Sequence, residues 1–308
     1  MSTPRAAVDV GSNSVRLLVV DGDGARLTRE MVITRLAEGV DATGHLDDRA
    51  LARTLETIAG FRVVWRSHGV RDRVRIAATS AVRDAADRER FFDGVRAATG
   101  VEAEVITDEE EAQLAYLGAA TAVEVARPTA VIDIGGGSTE LILGGSNGEV
   151  AGSVSLQLGC VRVTERHLAS DPPSVDELRT ARAMIEQQLD HAEALLAEQG
   201  VAITGAASLI GVAGTATTLG AIHLGLPGYD EDRIHRTRLP APALAALAER
   251  LSGMTSSQRA TLGPVQPGRE DVIHGGALVL HAALARMGLD EVTISEADNL
   301  DGLVASLA

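Results

Sequence analysis

The strongest constraint on the fold of this chain is a short pattern that it carries twice. AAVDVGSNSVRLLVV (Ala6 to Val20) and AVIDIGGGSTELIL (Ala130 to Leu143) align without a gap, 124 residues apart from Asp9 to Asp133. The alignment also pairs Gly11 with Gly135, Ser14 with Ser138, Arg16 with Glu140 and Leu17 with Leu141. Each copy reads as an apolar, β-branched strand ending in Asp, a tight turn of Gly, Ser and Asn, and a second strand, which is the grammar of a β-hairpin. A dinucleotide-binding or P-loop unit would instead run from the glycine turn straight into a helix. Two copies at domain-sized spacing predict two similarly folded halves whose hairpins face each other.

The length of 308 residues agrees, at ~150 residues per domain. We expect domain I over residues 1–124 and domain II over 125–308, with Pro128 near the boundary and the option that the last helix packs back on domain I. Leu46 to Gly69 has apolar positions at helical spacing, Arg73 to Ser80 and Val101 to Thr107 read as strands, and a helix follows from Asp108. Thr107 and Glu110 have the spacing of a capping box at its start. In the second half a long amphipathic helix (Val175 to Gly200) precedes a strand, glycine turn and helix start (Ala207 to Ala221). A further helix from Asp271, a strand from Glu291 and a closing helix from Asp298 complete the chain.

Charge removes several mechanisms. The chain has 28 Lys plus Arg against 43 Asp plus Glu, a net charge of −15, and none of the basic residues is lysine. Neither a P-loop nor a Schiff-base enzyme works without lysine, and an acidic surface disfavours nucleic acid as partner. Cys160 is the single cysteine, which excludes an internal disulfide and a cysteine zinc site, and the eight histidines show no metal-ligand spacing. No run approaches the ~20 apolar residues of a membrane span. The expectation is a cytoplasmic protein without a membrane partner.

Glycine-rich turns expose backbone N–H groups that surround phosphate oxygens without lysine. Gly11, Ser12, Asn13 and Ser14 in one copy, and Gly135, Gly136, Gly137, Ser138 and Thr139 in the other, are the candidate phosphate binders. Asp9, Asp133 and Glu140, at the hairpin ends, are the candidate ligands for Mg²⁺, which takes one or two carboxylates and keeps water and phosphate oxygens for the rest.

AVDVGSNSVRLLV, AATSAVRDA, TDEEEAQLAYLG, VIDIGGGSTELI, GVAGTATTL and REDVIHGGALVL occur in an order and spacing that resembles the exopolyphosphatase and guanosine pentaphosphate (pppGpp) phosphatase family. That family lies in the sugar kinase and actin superfamily, and the resemblance covers nearly the whole chain in its short form. It implies an α/β fold of two ribonuclease H-like, actin-like ATPase domains with mixed sheets facing an interdomain cleft, commonly in a homodimer. It implies hydrolysis of a terminal phosphoanhydride, with Glu111 matching the general base, Arg83 a phosphate contact and Thr79 a donor beside it. Gly214 and Thr215 match a third loop that either contacts phosphate or simply starts a helix. Arg162, Arg166 and Arg269 are candidates for a basic track or ordinary surface arginines. The sequence departs from the common pattern at Asp108, at Asp87, and at Asn299 to Gly302, where an arginine is lost.

The leading expectation is a Mg²⁺-dependent exopolyphosphatase acting on short inorganic polyphosphate. Alternatives are a pppGpp 5′-phosphohydrolase, a small-metabolite kinase, for which Trp65 alone offers little carbohydrate-stacking surface, and a non-catalytic polyphosphate or nucleotide sensor.

Overall fold

The computed structural model describes residues 3–12 and 14–307. The described chain divides into two compact units, residues 1–118 with 299–308, and residues 119–298. The chain therefore passes between units after Gly118 and after Asp298, and the closing helix belongs with the first unit.

The first unit is built on a five-stranded sheet in the order β3-β2-β1-β4-β5. The strands are β1 (Arg5–Val10), β2 (Ser14–Val20), β3 (Arg26–Ile33), β4 (Val74–Ala78) and β5 (Ala103–Val105). β1, β2 and β3 are antiparallel neighbours, while β4 and β5 extend the other side in parallel with β1. Its helices are α1 (Val40–Thr43), α2 (Asp48–Ser67), α3 (Ser80–Asp84), α4 (Glu89–Thr99) and most of α5 (Asp108–Ala122). α13 (Asn299–Ala305) completes the unit.

Alternation along the strands sorts the apolar residues to two faces. Val8, Val10, Val15, Leu17 and Val19 pack with Ile58, Phe61 and Trp65 of α2 and with Phe91 and Val95 of α4. Ala7, Leu18, Val20 and Ala77 pack on the opposite face with Leu114 of α5 and Leu300, Leu303 and Val304 of α13. Covering both faces explains why β1 reads as a near-continuous apolar run. Gly302 lets α13 approach α5 closely, since a Cβ there would overlap the backbone of Leu114.

The second unit repeats the plan with one added edge strand. Its order is β10-β11-β9-β6-β7-β8, from β6 (Thr129–Ile134), β7 (Thr139–Gly144), β8 (Val150–Leu156), β9 (Ser208–Val212), β10 (Arg238–Pro240) and β11 (Glu291–Ile294). β6 to β8 are antiparallel, β6, β9 and β11 parallel, so β8-β7-β6-β9-β11 reproduces β3-β2-β1-β4-β5. Around it run α6 (Cys160–His167), α7 (Val175–Glu198), α8 (Ala213–His223), α9 (Glu231–Ile234), α10 (Ala241–Ser252), α11 (Ser256–Arg259) and α12 (Ile273–Met287). Each unit is a mixed α/β domain, and among the described residues no helix is long and apolar enough to cross a membrane.

One buried polar cluster makes the second unit sensitive to acid. Arg259, 2% exposed, donates through Nε to Glu270 O at 2.5 Å and through Nη1 to Met254 O at 2.5 Å and Leu251 O at 3.1 Å. His274 on α12 is buried nearby, and its Nδ1 has no hydrogen-bond partner among the described residues. Burial, reinforced by the Arg259 charge, lowers its pKa to about 4. The native state thus holds the imidazole neutral, while the unfolded chain takes up a proton below pH ~6.5. The stabilisation is present above pH ~6.5 and is lost as pH falls towards 4. Between pH 7 and pH 5 the wild-type protein should lose about 2 kcal/mol more unfolding free energy than His274→Leu. Denaturant melts at the two pH values check this, and equal losses would contradict it.

Candidate active site

In the first unit the turn between β1 and β2 is closed by the Gly11 N–H donating to Ser14 O at 3.0 Å. The Ser12 carbonyl accepts from Ala37 N at 2.9 Å, which ties the turn to the segment after β3. Asn13, a candidate donor here, lies outside the described residues; Gly11, Ser12 and Ser14 are half-buried.

Asp9 and Arg16 are cross-strand partners in this hairpin. Arg16 donates to Asp9 Oδ2 from Nε at 2.9 Å and from Nη2 at 2.6 Å. Arg16 Nη2 also donates to Asn299 Oδ1 at the start of α13. Asp9 is 3% exposed, and its Oδ1 has no hydrogen-bond partner among the described residues. Its charge is compensated on one oxygen while the other remains to accept from a ligand.

Next to this turn, the Thr79 N–H donates to Val10 O at 3.2 Å, and Thr79 O accepts from Arg83 N at 3.1 Å. Thr79 occupies the N-cap position of α3, but its side chain makes no capping bond. Arg83 reaches α5, its Nη2 lying 2.7 Å from Asp108 Oδ1. Glu111 sits half-buried in the first turn of α5, its N–H donating to Thr107 O at 2.9 Å.

The expected capping box is only half formed. Thr107 Oγ1 accepts from Glu110 N at 3.2 Å, but the Glu110 carboxylate turns away and accepts from Arg75 instead. Glu109 is exposed and is held below the usual carboxylate range by its own backbone N–H and by the Thr107 hydroxyl.

The second unit repeats the turn. The Gly135 N–H donates to Ser138 O at 3.0 Å, and the carbonyls of Gly135 and Gly136 accept from Cys160, Val161 and Arg162 at the start of α6. Gly159 permits this docking, because a Cβ there would overlap the Gly136 carbonyl. Arg162 Nε donates to Gly137 O at 2.8 Å, while Arg166 lies exposed in the last turn of α6. Gly136 and Gly137 are exposed.

The position of Arg16 is taken here by Glu140, the cross-strand partner of Asp133. Both are half-buried, and Glu140 Oε1 accepts from Ser155 Oγ at 2.9 Å. Like charges directly opposite one another repel, so this pair favours a cation. Among the described residues no three His, Cys, Asp or Glu side chains form a metal-binding group. Two carboxylates with water and phosphate oxygens are the donor set Mg²⁺ accepts.

Two expected hydroxyl donors are used by the fold instead. Thr139 Oγ1 donates to Leu158 O, and Thr215 Oγ1 donates to Ile134 O at 3.1 Å. Both threonines are 2% exposed, so any contact of theirs with phosphate is left to backbone N–H groups. Gly214 has a definite packing reason. A Cβ at this position would overlap the guanidinium of Arg269, which therefore rests against the first turn of α8. Ala213, just before it, has φ 60°, a left-handed conformation that holds this loop in a tight bend.

Sequence reasoning missed the Asp9–Arg16–Asn299 arrangement and the Arg269–Gly214 contact. The first had a signal in the repeat, where Arg16 aligns with Glu140. The second had none, because the partners lie far apart in sequence.

Comparison with known proteins agrees with this architecture. Residues 18–308 match the Ppx/GppA phosphatase family. The chain is 43% identical to exopolyphosphatase 2 of Mycobacterium tuberculosis over 98% of each chain. It is 33% identical to exopolyphosphatase 1 of Mycobacterium bovis over 96% of this chain and 86% of that one. The crystal structure of the Aquifex aeolicus member of the Ppx/GppA protein family superposes with a TM-score of 0.88 at 28% identity, covering 99% of this chain and 97% of the other. With paired Asp-ended hairpins, the same sheet order in both units and this extent of similarity, the chain belongs to the Ppx/GppA phosphatase family.

Proposed function

We propose that this chain is a cytoplasmic exopolyphosphatase that releases the terminal phosphate of short inorganic polyphosphate with the help of Mg²⁺. The observation that carries the reading is the differentiation of the two hairpins. One places a second carboxylate, Glu140, opposite Asp133, and the other places an arginine opposite Asp9. A pair of carboxylates suits a metal, and an arginine beside a nest of N–H groups suits phosphate. The 43% identity to a mycobacterial exopolyphosphatase supports the choice of substrate.

In this reading Asp133 and Glu140 hold Mg²⁺, whereas Asp9, the third candidate ligand, has Oδ2 taken by Arg16 and accepts through Oδ1 from a water donor. When bound, the metal neutralises charge on the phosphate oxygens. In each unit the glycine turn offers donors to phosphate oxygens, with Ser12 and Ser14 beside the turn of the first unit and Ser138 beside that of the second. Arg16 and Arg83 direct guanidinium N–H groups at the oxygens of the terminal phosphate. Arg269, held in place by the absence of a side chain at Gly214, contacts a phosphate further along the chain. Glu111 accepts a proton from water as the water oxygen bonds to the terminal phosphorus, the bridging P–O bond breaks, and the shortened polyphosphate leaves.

Loss of the base should be severe while binding survives. Glu111→Gln should lower phosphate release from tripolyphosphate on the order of 10²- to 10⁴-fold, as general bases typically contribute. Undiminished turnover in this variant would overturn the assignment, and substrate binding without turnover in the wild type would favour the sensor. Running pppGpp in parallel tests the choice of substrate, since a faster rate on it would move the function to guanosine pentaphosphate hydrolysis.

The metal assignment gives a separate expectation. Asp133→Asn should raise the Mg²⁺ concentration for half-maximal activity about ten-fold or more, measured by Mg²⁺ titration at saturating tripolyphosphate. An unchanged requirement would place the metal elsewhere. Gly214→Ala should raise KM for tripolyphosphate about ten-fold or more, on the order of the ~1.5–3 kcal/mol carried by one hydrogen bond to a charged group, by displacing Arg269. Steady-state kinetics decide, and an unchanged KM would remove Arg269 from the substrate path.

A further inference from the structure

We propose that Asp108 is a built-in competitor for phosphate at Arg83, and so a residue that sets how tightly every phosphate ligand is held. The inference rests on the reading of Arg83 as a phosphate contact.

The backbone of Arg83 is anchored from behind, because Thr79, the N-cap residue of α3, is buried and bonded to the end of β1. Its Nη2 is 2.7 Å from Asp108 Oδ1, whereas its other polar neighbours are more distant, Ile106 O at 3.4 Å and Asp84 Oδ1 at 3.9 Å. Asp108 opens α5, and Glu111 follows three residues later on the same side of the helix. The arm of Arg83 that Asp108 occupies therefore lies within one helical turn of the proposed base.

The neighbouring acids are engaged differently. Glu109 is tied to Thr107, and Glu110 to Arg75, which also holds Glu104 at 2.6 Å and Ser306 at 2.7 Å. The Arg83 and Asp108 side chains are 30% and 65% exposed, so their pair opens to water at small cost. A guanidinium arm receives carboxylate and phosphate by the same geometry. A phosphate bound to Arg83 must displace Asp108 and then face its freed charge, with no lysine in the chain to offset it. The factor is the same for every ligand. Its consequence is greatest for inorganic phosphate, the product, which has no further phosphates to hold it. Asp108 thus favours product release by re-forming its pair with Arg83.

The test reads binding without turnover. In Glu111→Gln, the Kd of inorganic tripolyphosphate and of inorganic phosphate is measured calorimetrically with and without Asp108→Asn. Both constants should fall about two- to five-fold, the scale of an exposed ion pair. Asp108→Ser should act in the same direction, and thermal melts verify that both variants fold. With Arg83→Gln also present, Asp108→Asn should have a markedly smaller effect, only the part due to the repulsion of its charge. Unchanged or weaker binding in Asp108→Asn would overturn the proposal, as would an equal gain in the absence of Arg83, which would make the effect one of general charge. Absence of phosphate binding in every variant would overturn it too. Failure of the exopolyphosphatase reading itself would show separately, as turnover that survives Glu111→Gln.

Discussion

Two hairpins of one backbone design end in opposite electrostatics, and the proposed chemistry depends on that difference. In both units an Asp closes the first strand, a Gly N–H bonds across the turn to a Ser carbonyl, and the residue paired with the Asp stands on the second strand. Arginine in that position turns the first hairpin into a compensated, nearly neutral pair. Glutamate places a second carboxylate opposite Asp133 in the other. The fold thus supplies the same closed turn twice, and the residue opposite the Asp, arginine in one and glutamate in the other, sets the charge beside it.

A chain with arginine as its only strongly basic side chain and a net charge of −15 has to place positive charge sparingly. Two of its arginines near the turns are held by carboxylate or carbonyl oxygens: Arg16 by Asp9 and Asn299, Arg162 by the Gly137 carbonyl. These contacts hold guanidinium groups in defined positions, which lowers the entropy lost when a phosphate is bound. Connectivity reinforces this arrangement. The chain leaves the first unit within α5, the helix carrying Glu111, and re-enters it at Asn299, the residue that holds Arg16.

Much of the fold was legible because the repeat states it directly. Asp9 and Asp133 fixed both hairpins, and periodicity marked α2, α7, α12 and the closing helix. β3, β8 and α4 escaped notice because their burial depends on neighbours in the sheet and not on a strong local pattern. The predicted strand from Val101 to Thr107 contracts to Ala103–Val105, since Thr107 is drawn into the start of α5. Residue type alone could not reveal that the hydroxyls of Thr139 and Thr215 are spent on the carbonyls of Leu158 and Ile134. Those bonds join segments that are distant along the chain. For the same reason the sequence leaves Gly214 open between a phosphate contact and a helix start, and does not show that its lack of a side chain accommodates Arg269.

The most direct test of the electrostatic split between the hairpins is to locate the metal. Crystals grown with Mn²⁺ in place of Mg²⁺ would give an anomalous signal at any bound ion. The account predicts a peak beside the Asp133 and Glu140 carboxylates and no direct ligation by Asp9. A peak ligated by Asp9 in place of that pair, with Arg16 displaced, would contradict it.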